Sequence, residues 1–117
     1  MRSTRADAWA AVAIQRDGRI LVAGDWNYLA NSSSGRFVHY VSLARYTRSG
    51  RPERTFGHRG AVLTRIHCAP QVPTTTQVTA LATRPNGKLV VAGGCWLRGG
   101  KRDFLLVRYK PDGRLDA

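Results

Sequence analysis

A chain of 117 residues, 43% hydrophobic and 22% charged, has the size and composition of one ordinary globular domain. Its 19 Lys and Arg stand against 7 Asp and Glu, a formal charge of +12, yet the basic residues run from Arg2 to Arg114, which excludes a single basic tail or targeting block and leaves a polyanionic partner as one expectation. Two cysteines, Cys68 and Cys95, with no second Cys close to either, exclude a cysteine zinc site and leave one disulfide or two buried thiols.

In chain order, the apolar stretch Trp9 to Ile14 is broken by Gln15-Arg16-Asp17, too early for a signal-peptide core, and no run approaches the ~20 apolar residues of a membrane-spanning helix. No leader and no membrane span are therefore expected. The stretch Ala11 to Gly24 reads as two strands joined at Asp17-Gly18, a pair that favours the tight primed turns of hairpins because Gly and Asn or Asp tolerate positive φ. Asp25 to Arg36, with its Asn31-Ser32-Ser33-Ser34-Gly35 centre, reads as a surface loop. Val41 to Tyr46 is a third strand closed by Arg48-Ser49-Gly50, and Ala61-Val62-Leu63-Thr64 is a short fourth.

The pattern then starts again. Ala80 to Gly93 repeats Ala11 to Gly24 position by position, with Asn86-Gly87 standing for Asp17-Gly18. Phe104 to Arg114 repeats Val41 to Arg51, with Pro111-Asp112-Gly113 at the turn, and the first copy is the longer between these blocks. Short apolar runs rich in Val, Leu and Tyr, with frequent turn signals, exclude a helical repeat. The expected fold is all-β: two tandem four-stranded antiparallel sheets of the β-propeller blade type, the second lacking its last strand. The expected boundaries are 6–66 for the first blade, 67–77 for a linker and 78–117 for the second blade.

Three ordered blocks carry a family resemblance: Ala-x-Ala to Val-Ala-Gly over 11–24, Leu-Ala-Arg-Tyr to Gly over 43–50, and Thr55-Phe56-Gly57-His58-Arg59-Gly60-Ala61-Val62. Together they resemble the delta-60 repeats, β-propeller-type units found in tandem in large bacterial proteins. The chain departs from that pattern at Arg16, Ser49 and Pro52-Glu53, all at turns. The resemblance implies a non-catalytic structural or macromolecular-interaction module whose partners are other blades or copies of itself, and a secreted or cell-surface setting in which an oxidised Cys68–Cys95 pair would fit.

Signature positions expected to be structural are Asp17, Gly18, Gly24, Arg45, Tyr46, Gly50, Phe56, Gly57 and Gly60 in the first copy. Their companions in the second are Asn86, Gly87, Gly93, Arg108, Tyr109, Asp112 and Gly113. Each tyrosine is expected to pack between blades, and each arginine to meet an acid or a backbone carbonyl. Trp26 and Trp96 both fall near the end of the second strand if a gap of one residue is allowed. With Tyr28, Arg98, Lys101 and Arg102 they form a candidate surface for an acidic glycan or nucleic acid. His39, His58 and His67 share no metal-ligand spacing, Ser32 to Ser34 lack a nucleophile-elbow context, and the acids sit mostly at turns, so no catalytic residue, metal or cofactor is expected. Gly93-Gly94 and Gly99-Gly100 read as loop glycines beside a bulge. An enzyme site in the central channel of a larger propeller remains the third reading.

Overall fold

The computed structural model describes residues 8–31, 36–66, 75–96 and 99–116. Four strands, β1 (Ala8–Ile14), β2 (Ile20–Asn31), β3 (Arg36–Tyr46) and β4 (Ala61–Arg65), make one antiparallel sheet in sequential order. A second such sheet holds β5 (Thr75–Thr83), β6 (Leu89–Trp96) and β7 (Arg102–Tyr109). These are two blades, the second without a fourth strand, as the repeat implied. Among the described residues no strand pairs with the outer edge of β7. Among the described residues no helix is long and apolar enough to cross a membrane.

Four turns share one geometry, and it is not the primed hairpin turn expected at Asp17-Gly18 and Asn86-Gly87. Gly18 N–H donates to Gln15 O at 2.9 Å, and Gln15 N–H donates to Arg19 O at 2.8 Å, so the turn spans Gln15 to Gly18 with the glycine last. Only the glycine takes positive φ (89° at Gly18, 83° at Gly87), whereas Asp17 and Asn86 stay on the ordinary side. Their side chains act instead as local acceptors: Asp17 Oδ1 takes Arg19 N–H, and Asn86 Oδ1 takes Lys88 N–H, each at 3.0 Å. The same pair of backbone bonds closes Thr47 to Gly50 and Lys110 to Gly113. A left-handed glycine after an ordinary turn is the other standard way of matching strand twist across a hairpin.

Two expected loops prove to be strand. The insertion after Asp25 continues the ladder, with Asn27, Tyr28 and Leu29 opposite His39, Val38 and Phe37. Tyr28 and Leu29 stand opposite Val38 and Phe37, residue types that favour strand, and the four residues 32–35 lie outside the described residues. Gly93 and Gly94 lie inside β6, opposite the bulge between Val78 and Ala80 in β5. A Cβ on Gly93 would sit 2.0 Å from Gln77 O, so the bulged strand can approach there only because the side chain is missing. Gly24 faces the matching bulge between Trp9 and Ala11 of β1. Of the stretch 67–77, residues 75–77 already belong to β5.

Face to face, the blades enclose one core. Leu21 and Ala23 of β2 and Val41 and Leu43 of β3 meet Val78, Leu89, Val91 and Tyr109 of the second blade, with Phe56 closing the end. Alternation puts these on one side of each sheet, the seam side. The opposite sides carry the exposed apolar residues: Trp9, Val12, Ile14 and Leu63 on the first blade, Phe104 and Leu106 on the second. Cys95 is buried in the core and disulfide-bonded, and the sequence holds one other cysteine, Cys68, which lies outside the described residues.

Candidate functional site

Polar chemistry concentrates at the seam between the blades, where it is carried by signature residues. Arg45, on the seam side of β3 and almost fully buried, pairs through Nε with Glu53 and donates from Nη1 to Pro111 O at 2.8 Å in the other blade. Its guanidinium also lies 4.5 Å from the centre of the Phe56 ring. A charged group at such depth is tolerable because acid, carbonyl and π face each take part of its charge. Glu53 is held in turn by Arg19 at 3.2 Å.

Three more bonds cross the seam. Gly57 N–H donates to Asp112 O at 2.8 Å, Val78 N–H to the buried Asp25 carboxylate at 3.1 Å, and the Tyr109 hydroxyl meets Thr64 Oγ1 at 2.7 Å. Burial pushes the Tyr109 phenol up to about 12, against the lowering effect of Thr64. At Gly113 (φ 93°) an added Cβ would come within 2.9 Å of Val62 Cγ2, 3.1 Å of Phe56 and 3.2 Å of Gly57 N, so the Phe56-Gly57 closing segment can lie on this turn only while position 113 is glycine.

The second blade repeats the acid–base pairing on its own outer side. Asp116 takes Lys88 at 2.9 Å and Arg108 at 3.2 Å, as Glu53 takes Arg19 and Arg45. The Lys88 bond holds the Asp116 carboxyl below its ordinary range, and the Arg114 backbone N–H, with its side chain, does the same for Asp112. Both carboxylates therefore favour the fold above their unfolded pKa and lose that contribution as pH falls through the lowered folded values.

Of the candidate surface residues that are described, Trp26 lies in the first blade and Trp96, Lys101 and Arg102 in or beside the second. Trp96 and Arg102 are brought together, the guanidinium 4.1 Å above the indole, beside a groove of about 310 Å³ that Gln77 and Phe104 also line. Lys101 follows the Gly99-Gly100 turn and is exposed. Trp26 stacks on Tyr40 at 5.3 Å in the first blade. It lies within β2, short of the strand end at Asn31, and on the outer side of its blade. The one-residue gap that aligned it with Trp96 reverses the face, so the position corresponding to Trp26 is the buried Cys95, and the two tryptophans are not equivalent. The Tyr28 side chain and Arg98 lie outside the described residues.

Two seam residues carried no signal in the sequence. Asp25 falls in a stretch that reads as loop, and it accepts from a backbone amide far along the chain. Thr64 stood in an apolar run where a hydroxyl passes as a strand former.

No curated protein and no solved structure matches the chain. A family model does match, over residues 15–56 and 84–117, which is one segment in each blade, both including the turn glycines and the Arg-Tyr pair. On that match the chain belongs to the β-propeller family described as a domain of unknown function, DUF5122.

Proposed function

We propose that the chain is a non-catalytic propeller module of the delta-60 kind, a structural or interaction part of a larger or oligomeric assembly. One observation carries the reading: of the repeated Arg-Tyr positions, Arg45 of the first blade and Tyr109 of the second are used in joining blade to blade. Arg45 is spent on Glu53 and Pro111 O, Tyr109 on Thr64, and Asp112 supplies its carbonyl to Gly57. Family membership supports the architecture and leaves the role to be tested.

The test is thermal stability. Residues selected for catalysis or ligand contact are often better for the fold when replaced, whereas residues selected for joining are worse. Arg45→Gln, Asp25→Ala and Tyr109→Phe should each lower Tm. Unchanged or raised Tm in all three would end the structural reading.

A second reading, binding of a polyanion on the basic surface, is favoured by the Arg102–Trp96 stack, whose cationic plate can take a phosphate while Phe104 offers a ring face. Its mark would be affinity for heparin or single-stranded DNA that falls steeply with salt and weakens in Arg102→Ala. Salt-independent binding, or none, would dismiss it.

A further inference from the structure

The two blades meet front to back. By the alignment of the repeats, Leu43 corresponds to Leu106 and Val41 to Phe104. The first of each pair is fully buried at the seam; Leu106 is 71% and Phe104 94% exposed on the outer side of the second blade. The reverse holds on the other side: Leu81 packs against the core, while its counterpart Val12 is 65% exposed. Tyr109 is fully buried, and its counterpart Tyr46 is only half-buried. The outer side of the second blade is thus chemically the seam side of the first, and the outer side of the first is the seam side of the second. Over the three strands that both blades have, each exposed side repeats one half of an interface already formed inside the chain; the second blade has no described counterpart of Phe56, Gly57, Val62 and Thr64, and carries Gly94 in place of Asp25.

We infer that separate copies of this chain stack head to tail, the outer side of the second blade seating on the outer side of the first blade of the next copy. The inference rests on the structural reading above and names its partner. Three arguments favour a second copy over an unrelated protein. The complementary half is present on every molecule. Apart from Leu115, the large apolar residues exposed among the described residues all lie on these two sides. Arg108, paired with Asp116, stands where Arg45 stands, and its target in the next copy is the carbonyl of Arg48, the counterpart of Pro111. Such a contact is heterologous, so it either closes into a ring or continues as a filament. Because each chain carries a formal charge of +12, association should strengthen as salt screens the repulsion, the opposite of polyanion binding.

The experiment is native mass by light scattering on a sizing column, with circular dichroism on every sample, for the full chain, Leu106→Glu, Val12→Glu and an equal mixture of the two variants. The unsubstituted chain should exceed its monomer mass of 12.9 kDa, and more so at higher salt. Each variant alone should be a folded monomer, because every molecule then lacks the same half. The mixture should give a folded heterodimer of twice the monomer mass and nothing larger, since each partner supplies the half the other lacks. A folded monomer for the unsubstituted chain overturns the inference and leaves the structural reading to its own Tm test. Association that survives in either variant alone, a mixture that stays monomeric, association that dissolves with salt, or a chain without strand signal overturns it too.

Discussion

Leu43 and Leu106 occupy the same position in their repeats, each two residues before an Arg-Tyr pair, yet one is sealed in the core and the other stands largely in solvent. Local sequence makes both strands; only the presence of a neighbouring blade decides what each residue is worth. The comparison separates two contributions that are usually confounded, strand formation within a blade and burial between blades.

The widest separation should appear at that pair. In the monomeric Val12→Glu background, Leu43→Ala should cost about 2–5 kcal/mol in urea unfolding by lost transfer energy and the cavity it leaves, whereas Leu106→Ala should cost less than about 0.5 kcal/mol. Equal losses there would mean that something other than a stacked copy covers the second blade's outer side.

Next come the arginines. Arg45→Met leaves the Glu53 carboxylate with Arg19 as its remaining ion-pair partner, strands the Pro111 carbonyl at the seam and should cost about 3 kcal/mol. In the monomeric Val12→Glu background, Arg108→Met breaks a pair whose arginine is 49% exposed and should cost at most about 1 kcal/mol. Denaturation midpoints in low and high salt would sharpen the contrast, since screening should affect the exposed pair more.

The turn glycines give a smaller difference. Gly50→Ala meets nothing within 4 Å, so it should cost only the left-handed backbone strain of about 1–2 kcal/mol. Gly113→Ala carries the same strain at φ 93° and must also displace Val62 and Phe56, adding about 1–3 kcal/mol. Equal Tm shifts would show that the closing segment does not rest on the 113 turn.

The last effect is silent at neutral pH. With a folded pKa of about 12 against an ordinary 10.0, the Tyr109 phenol favours the fold below pH 10, and stability declines as pH rises between the two values, because the unfolded chain ionises first. Alkaline unfolding followed by phenolate absorbance should show this decline, and Tyr109→Phe should flatten it.

Much of the fold was legible because it is written in local chemistry twice over. Turn glycines at 18, 50, 87 and 113 and apolar runs between them fix the strand number without any knowledge of what packs where. The turn type was missed because Asp-Gly serves two geometries equally well, and the choice depends on whether the acid or only the glycine takes positive φ. The extended β2–β3 hairpin was missed because serine and asparagine at 31–34 dominated a segment whose flanks alternate as strand. The site was less legible still. A one-residue gap between Trp26 and Trp96 looks minor in an alignment, yet on a pleated strand it exchanges the two sides. Asp25 bonds a backbone amide, and amides leave no trace in sequence.

Asp25 has one further consequence. The residue that stands in its place in the second blade is Gly94, which has no side chain to offer. A junction built on the second blade must therefore do without the carboxylate that receives the Val78 amide, and should separate sooner than the junction inside the chain. The pair of blades, and not the single blade, then becomes the indivisible unit: shuffling or duplicating these repeats would be tolerated at the cut after the second blade and penalised at the cut between the two, so a single buried acid writes the reading order of the blades into the molecule.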